Sequence, residues 1–255
     1  MKLITLNLWG GTVYEPLIKF IKEKARGTDI FCFQEMTFGE EAGFTPVHKG
    51  RINLFSELKS ILTDFTVYQH VSDSEHFQRE PVNFGVGQAI FIRNSIQVND
   101  HGGAYCFSEV PPGAGEGGKA TGNYEWIDLV IEGKPLTLVN VHGVWQDKSY
   151  KVDTPARLVQ SNCLKDFLSG KQGSSILCGD FNLLPDTESV KIIENIGLRN
   201  LVREYDIKST RTTFYDKPQK HADYIFISKD IEVKDFKVLP EEVSDHSALF
   251  LDFNL

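Results

Sequence analysis

The chain has 255 residues, 41% of them hydrophobic, so it can bury a sizeable core without disulfides or a structural metal. Its formal net charge of -8 argues against a basic surface that grips long nucleic acid through many phosphates. The four cysteines show no CxxC spacing, which argues against a zinc site or a disulfide framework. The N-terminus carries no apolar segment long enough for secretion or a membrane span, so we expect a cytoplasmic protein without stable membrane insertion.

The apolar patterns of the first hundred residues predict two helices and five strands. The helices are marked by apolar residues spaced three and four apart and cover residues 13–27 and 52–64. The strands are marked by alternating or continuous apolar runs and cover residues 2–8, 28–36, 65–71, 86–93 and 96–100.

Residues 101–123 stand apart because they carry seven glycines and two adjacent prolines. Such a composition predicts a loop and argues against a helix or a central strand. A loop of this length is typical either of a functional cover or of a mobile segment, and the sequence does not choose between them.

The second half of the chain predicts more strands and one long helix. Residues 125–133 and 134–143 form a hairpin through Gly133, and residues 153–170 form a helix capped by Asp153 or Thr154. A strand at 174–179 and two or three strands after residue 220 complete the pattern. Helices interspersed among about ten strands predict an α/β (α+β) fold, a sandwich of two mixed sheets with helices on its outer faces, in one domain over residues 1–255.

Polar side chains recur at the ends of these apolar strands, where sheet proteins build their sites. They are Asn7, Glu35, His142, Asp180 and Asn182. Asp223 and the pair Asp245–His246 take equivalent places just before or at the start of later strands. If the chain stays extended past Gly179, Asp180 and Asn182 project to the same side and can face one ligand.

Each of these residues also has a structural explanation. Asn7 could bond local backbone, Glu35 could pair with a lysine, His142 could be a satisfied core histidine, and Asp180 with Asn182 could form an Asx turn. Asp223 and Asp245 could be an ion-pair partner and a cap. Their joint occurrence favours a hydrolytic site for phosphate esters. Oxygen ligands without cysteine suit Mg²⁺ or Mn²⁺, while a carboxylate and a histidine can orient and deprotonate water for in-line attack.

Six short motifs occur in an order that resembles the endonuclease/exonuclease/phosphatase family, the deoxyribonuclease I-like group. They are TLNLWG, FQEM, VNVHG, CGDFNLLPD, ADYIFIS and VSDHSALF. The resemblance extends from Leu6 to Leu249. It implies a four-layered sandwich with its site at the edge where both sheets end, and Mg²⁺-dependent cleavage of phosphodiesters or phosphomonoesters.

The resemblance also implies roles for individual residues. Glu35 resembles the main metal-binding carboxylate, Asn7 a ligand or its support, and Asp245 a second acid near the metal. Asp180 resembles the acid that orients or activates water, and Asn182 the neighbour that contacts the scissile phosphate. The remaining pair resembles a catalytic histidine, His246, which acts either as general base or as transition-state donor, and the carboxylate that hydrogen-bonds it, Asp223.

Three further residues bear on the substrate. A histidine at the position of His142 is typical of the deoxyribonuclease I, sphingomyelinase, inositol-polyphosphate phosphatase and deadenylase branches and makes abasic-site repair less favoured. It would donate a hydrogen bond to a phosphate oxygen. Arg211 lies in a loop from which family members reach the substrate, and its guanidinium suits a phosphate. Arg157 is either a support for the site or a charge on the helix surface.

The leading hypothesis is a metal-dependent phosphodiesterase acting on a nucleotide, a single-stranded nucleic acid or a lipid headgroup. The first alternative is a phosphomonoesterase for a sugar or inositol phosphate, and the second is an inactive binding module with the same fold. A serine hydrolase built on Ser244, Asp245 and His246 is excluded because consecutive residues of an extended chain point to opposite sides. The sequence indicates no protein partner.

Overall fold

The computed structural model describes residues 1–45, 49–73, 84–107, 121–146 and 148–255. Among these residues the chain forms twelve strands and five α-helices. The strands, in chain order, are β1 (Lys2–Asn7), β2 (Ile30–Phe38), β3 (Phe65–Asp73), β4 (Gly85–Arg93), β5 (Val98–Tyr105), β6 (Asn123–Ile131), β7 (Lys134–His142), β8 (Ser174–Asp180), β9 (Arg199–Asn200), β10 (Asp223–Ile227), β11 (Glu232–Val238) and β12 (Leu249–Asn254). The helices are α1 (Tyr14–Ala25), α2 (Leu54–Ile61), α3 (Pro155–Ser169), α4 (Glu188–Glu194) and α5 (Leu201–Glu204).

The strands build two six-stranded mixed sheets, ordered β11-β12-β1-β2-β4-β3 and β5-β6-β7-β8-β10-β9. In each sheet one central pair is parallel, β1 with β2 and β7 with β8, and the other pairs are antiparallel. The predicted fold class, two mixed sheets flanked by helices, is therefore confirmed.

The sheets pack face to face, and the buried side chains between them come from both. Leu3 and Ile90 of the first sheet share one hydrophobic cluster with Leu138 and Phe226 of the second. A second cluster fills the space between the first sheet and its outer helices, where Leu17 and Leu58 are fully buried. Burial of apolar surface on both faces of each sheet is what fixes the strand ends relative to one another.

Polar residues replace this apolar packing in one layer between the sheets, which we term the inter-sheet polar layer: Gln34, Gln88, Asn123, Glu125 and Asn140. Gln34 Nε2 donates to Asn140 Oδ1 across 2.6 Å, and Gln88 donates to Asn123. Glu125 is 2% exposed, and neither of its carboxylate oxygens has a hydrogen-bond partner among the described residues. Burial raises the pKa of Glu125 well above its usual range, and the nearby amide of Asn140 opposes this only in part.

The predicted hairpin and the long helix are confirmed with small shifts. Glu132 and Gly133 both have positive φ between β6 and β7, as a two-residue primed turn requires. Thr154 caps α3 by accepting from Arg157 N, with Pro155 as the first helical residue. The other candidate cap, Asp153, instead accepts from the backbone N–H groups of Glu188 and Ser189 at the start of α4.

Three parts of the chain differ from the prediction. The predicted strand at 96–100 runs on to Tyr105, so residues 101–105 are not loop. β5 is an edge strand, where glycine is tolerated. Larger residues would not fit at these positions, because a Cβ at Gly102 would lie 3.0 Å from the Trp126 ring and a Cβ at Gly103 would lie 2.4 Å from the His70 ring. Residue 123 already belongs to β6, and residues 108–120 of the predicted loop lie outside the described residues. The two short helices α4 and α5 carried no prediction.

None of the helices among the described residues combines the length and the apolar character that crossing a membrane requires.

Candidate active site

Strand ends from both sheets meet at one edge of the sandwich, and they carry the predicted site residues. In the parallel pair β1–β2, Asn7 lies opposite Gln34, the residue before Glu35. In the parallel pair β7–β8, His142 lies opposite Asp180. Strand β10 runs antiparallel to β8 and starts with Asp223 opposite Asp180. Because the start of an antiparallel strand lies at the same edge as the end of its neighbour, the topology brings these side chains together.

These side chains surround a cleft of about 410 Å³. Seven of the ten predicted site residues line it: Glu35, His142, Asp180, Asn182, Arg211, Asp245 and His246. Of the other three, Asn7 and Asp223 lie behind the lining and hold lining residues through hydrogen bonds. Arg157 lies under a neighbouring loop and lines a second cavity beside the cleft.

Asn7 joins two carboxylates at the floor of the cleft. Its amide nitrogen donates to Glu35 Oε1 across 2.9 Å and to Asp180 Oδ2 across 3.1 Å, while its amide oxygen accepts from the backbone N–H of Trp9. The local backbone bond considered from the sequence is therefore present, and so is a direct link between the acids. Asn7 is fully buried, and its orientation fits the support role better than that of a direct ligand.

Glu35 reaches the cleft because its strand is irregular. The register of β2 with β4 shifts between Phe33 and Met36, and Glu35 has φ +53°. A bulge of this kind re-aims one side chain, which turns the partly exposed Glu35 carboxylate toward the site. The carboxylate then lies 3.6 Å from His142 Nε2.

Asp180 and Asn182 line the cleft together, but not in the way the sequence suggested. Strand β8 ends at Asp180, and Asn182 has φ +53°, so the chain does not stay extended past Gly179. Instead Asp180 Oδ1 accepts from the backbone N–H of Asn182 across 2.8 Å, which is an Asx turn, and Asn182 Nδ2 donates to Gly143 O. The condition of an extended chain past Gly179 is not met, and the Asx turn that the sequence also allowed is what keeps both side chains at the cleft.

His246 and Asp223 form a buried pair, each about 3% exposed. His246 Nδ1 lies 2.8 and 3.0 Å from the two carboxylate oxygens of Asp223, and Thr210 donates to the same carboxylate. Burial, together with the charge of Arg211, lowers the pKa of His246 to about 3. Burial raises the pKa of Asp223 to about 6, against the opposing effect of Arg211 and Lys151.

At neutral pH these shifts leave Asp223 ionised and His246 neutral. The ionised carboxylate requires a donor at Nδ1, so the proton of the imidazole lies there and Nε2 presents a lone pair. That Nε2 lies 3.6 Å from Asp180 Oδ2 and 3.8 Å from Asp245 Oδ1. Three acceptor atoms thus face the same small space, which suits a water molecule, a proton or a cation.

Asp245 pairs with Arg211, a contact that the sequence did not indicate. Arg211 Nη1 donates to Asp245 Oδ2 across 2.7 Å, and residues 211 and 246 form an antiparallel bridge that fixes the two segments. Burial raises the pKa of Asp245, and His246 and Arg211 oppose the shift. Both predicted residues line the cleft, with the cation and the acid neutralising each other in part.

Arg157 is not a charge on the helix surface. It is 1% exposed, and its guanidinium donates to Val152 O across 2.7 Å and to Val144 O across 3.4 Å. Burial lowers its pKa to about 10. The first turn of α3 faces the loop between β7 and α3, so Arg157 ties that loop to the helix, and support of the site is the interpretation that this geometry favours.

The cleft also has lining residues that sequence reasoning missed. They are Trp9, Val86, Thr121, Trp145, Lys151, Tyr215 and Lys217. Lys151 is 8% exposed, and Tyr215 is half-buried with Lys151 Nζ and Arg211 Cζ at 4.9 and 4.2 Å from its ring centroid. None of the seven is among the polar residues that the sequence analysis placed at strand ends. The aromatic and basic residues near 145–151 and 215–217 are the signal that could have indicated four of them, Trp145, Lys151, Tyr215 and Lys217.

The donor set fits a metal ion. Glu35, His142 and Asp180 each offer one ligand atom, and these atoms lie within 4.8 Å of one another. The same holds for Asp180, Asp223 and His246. Two carboxylates that share one amide donor, as Glu35 and Asp180 share Asn7, lie close enough to repel each other unless a cation lies between or beside them.

Comparisons with known proteins agree with this architecture. A sequence model described as the endonuclease/exonuclease/phosphatase family matches residues 4–246. No curated protein matches the chain in sequence.

Several solved structures share the fold at low sequence identity. A family protein from Leptotrichia buccalis is 18% identical with a TM-score of 0.69, and a mannosyl-6-phosphatase from Bacteroides thetaiotaomicron is 17% identical with a TM-score of 0.71; in both cases 100% of each chain is covered. D. rerio TDP2 complexed with a single-strand DNA product is 14% identical with a TM-score of 0.70, covering 100% of this chain and 99% of the other.

Proposed function

The chain belongs to the endonuclease/exonuclease/phosphatase family, whose members are phosphoesterase hydrolases, and we propose that it is a Mg²⁺-dependent phosphodiesterase that cleaves by in-line attack of water. The observation that carries the proposal is the meeting of two separately built groups in one cleft. One is the acid pair Glu35 and Asp180 on Asn7, and the other is the His246–Asp223 pair.

Glu35 is the proposed principal metal ligand, with Asn7 as its support and Asp245 as a second acid nearby. Oxygen donors without cysteine favour Mg²⁺ or Mn²⁺ over zinc. Such an ion, when bound, would neutralise charge on the phosphate and on the leaving oxygen.

The attacking water is proposed to lie between His246 Nε2 and Asp180 Oδ2. These acceptors are 3.6 Å apart, so one water would find an acceptor for each of its two protons. Asp223 holds His246 in the tautomer that keeps Nε2 free of a proton and stabilises the imidazolium after proton transfer. Asp180 is itself fixed by Asn7 and by the Asn182 backbone, so the water is oriented before the reaction begins.

Three donors at the cleft can bind the non-bridging oxygens of the phosphate: His142, Asn182 and Arg211. Hydrogen bonds that strengthen as charge develops on these oxygens lower the barrier, by about 3 kcal/mol for one well-placed donor. Arg211 is restrained by Asp245, which orients its guanidinium but also reduces its net charge at the cleft.

A phosphomonoesterase for a sugar or inositol phosphate is the second candidate, since the same residues serve both reactions. The structural similarity to a mannosyl-6-phosphatase, at 17% identity, is a reason to test a phosphomonoester substrate as well. An inactive binding module would have been expected to lose Glu35, Asp180 or His246, and all three are present.

The test is release of p-nitrophenol from bis(p-nitrophenyl) phosphate and from p-nitrophenyl phosphate, with Mg²⁺, with Mn²⁺ and with EDTA. We expect metal-dependent turnover that is faster on the diester. Turnover in EDTA would contradict the metal requirement, and faster turnover of the monoester would favour the second candidate. A parallel screen of single- and double-stranded DNA, RNA, sphingomyelin and inositol phosphates addresses the natural substrate.

A further inference from the structure

A second cavity, of about 260 Å³, adjoins the cleft, and we term it the side cavity. Five residues line both it and the cleft: Trp145, Lys151, Asn182, Tyr215 and Lys217. Lys148, Tyr150 and Pro218 belong to the side cavity alone. A substrate whose scissile phosphate lies in the cleft can therefore extend directly into this space.

The side cavity differs from the cleft in its charge balance. Its basic lining residues are Lys148, Lys151, Arg157 and Lys217, and none of its described lining residues carries a carboxylate. The cleft shares Lys151 and Lys217 but also carries Glu35, Asp180 and Asp245 on its wall. In a chain with a formal net charge of -8, this local excess of cations indicates an anionic ligand.

Lys151 is held in place as a binding residue would be. Its Nζ donates to His221 O across 3.2 Å, and it lies 4.9 Å from the ring centroid of Tyr215. The same ring lies 4.2 Å from the guanidinium carbon of Arg211 and 5.8 Å from Lys220 Nζ, so three cations share one aromatic neighbour.

The charge of Lys151 has no direct ion-pair partner among the described residues, whereas Arg211 has Asp245. Three carboxylates favour the charged form of Lys151 from a greater distance: Asp180, Asp223 and Asp245. Burial, reinforced by Arg211, lowers the pKa of Lys151 to about 8. A buried cation of this kind is stabilised by an anion that enters from solvent. Lys217, by contrast, is exposed and can swing toward the same ligand.

We propose that the side cavity binds a second phosphate group of the substrate, through Lys151 and Lys217, and that the chain therefore prefers phosphoesters that carry two phosphates. The inference rests on the proposed function, because it takes the first phosphate to be the one cleaved in the cleft. The second phosphate can belong to a nucleotide or to a sugar bisphosphate, since both present the same dianion to the lysines.

The experiment compares two substrates that differ by one phosphate: the p-nitrophenyl ester of thymidine 5′-phosphate, with and without an additional phosphate on the 3′-oxygen. We expect the additional phosphate to raise kcat/KM about tenfold, mainly through KM, as one or two charge-assisted contacts would. Thymidine 3′,5′-bisphosphate and glucose 1,6-bisphosphate, each compared with its monophosphate as a competitive inhibitor, show whether nucleotides or sugars are preferred.

Lys217→Gln and Lys151→Met should bring the ratio of the two kcat/KM values close to one. Lys217 is exposed, so its variant is expected to fold even if the buried Lys151 variant does not. Lys229→Gln, an exposed lysine in the turn between β10 and β11, is the matched control and should keep the full ratio.

Equal kcat/KM on both substrates would overturn the inference while the turnover itself supports the proposed function. A bisphosphate preference that survives in Lys217→Gln and in a folded Lys151→Met would also overturn it, because the preference would then arise elsewhere. Absence of metal-dependent turnover on both substrates would overturn the proposed function and, with it, the inference.

Discussion

His246 Nδ1 lies 2.8 Å from Asp223 Oδ1, which joins the segment before β12 to the first residue of β10 in a pair that solvent barely reaches. The segment that holds His246 leads into β12 of the first sheet, whereas β10 belongs to the second. The orientation of the imidazole at the cleft therefore depends on how the two sheets are packed against each other.

Replacing either member of this pair should impair catalysis without unfolding the chain. We expect Asp223→Asn and His246→Ala each to lower kcat on bis(p-nitrophenyl) phosphate by about 100-fold or more, since proton transfer and tautomer control are both lost. Steady-state kinetics and thermal unfolding measure the two effects. Asp206→Asn, an exposed acid paired with Lys208, is the control. Wild-type turnover in His246→Ala would contradict the assigned role.

The acid Glu35 should control metal binding in a way that does not require turnover. We expect Mg²⁺ or Mn²⁺ at 100 times its dissociation constant to stabilise the wild-type fold by about 2.7 kcal/mol, because the ion binds the native site. In Glu35→Gln the metal-induced rise in Tm should fall to a small fraction. Thermal unfolding in EDTA and in each metal measures this. An equal rise in both proteins would place the ion elsewhere.

Glu125 should make stability fall as pH rises. Its folded-state pKa is raised above the ordinary value of 4.5, so the native state holds a proton that the unfolded state releases above that pH. The free energy of unfolding should therefore fall by up to about 1.4 kcal/mol per pH unit above pH 4.5, until the folded state ionises too.

The neutral variant Glu125→Gln removes this dependence. The stability of the variant should match that of the wild type near pH 4 and exceed it increasingly toward pH 7. The new amide could donate to Gln34 Oε1 or Gln88 Oε1, which are buried acceptors in the same layer without a described partner. Urea unfolding at several pH values is the measurement. A constant difference between the two proteins across this range would show that Glu125 does not hold a proton.

Gly179, the residue before Asp180, should not tolerate a side chain. Its φ is +127°, and a Cβ at this position would lie 2.2 Å from Val141 O. We expect Gly179→Ala to lower the free energy of unfolding by about 2–4 kcal/mol, from steric overlap and backbone strain combined. Gly27→Ala, where a Cβ would meet nothing within 4 Å, is the control and should change stability little. Equal effects in urea unfolding would contradict the close approach of β7 and β8.

The pattern of polar residues at strand ends located most of the cleft residues because it depends only on neighbouring residues in the chain. An apolar run that stops at Asn7, His142 or Asp180 places a polar side chain at the end of a buried strand, whatever the neighbours are. The pattern failed where the backbone departs from regular geometry. The positive φ of Glu35 and Asn182, which aims both side chains at the cleft, leaves no mark in the alternation of apolar residues.

Lys151 and Arg157 show a different limit. Both are charged residues in or beside the loop before α3, and their sequence suggests exposure, yet they are 8% and 1% exposed. Their side chains meet the backbone carbonyls of His221, Val144 and Val152. These contacts depend on how the loop before α3 folds back on the chain, which hydrophobic periodicity does not indicate.

By itself the sequence determined the mixed two-sheet fold and the residues that can carry hydrolysis, because hydrophobic periodicity and strand-end polarity are properties of neighbouring residues. Only the tertiary structure decided which of them meet. The pairing of Asp223 with His246, of Asp245 with Arg211, and of Asn7 with both Glu35 and Asp180 depends on sheet packing and strand register, and those are set by burial summed over the whole sandwich.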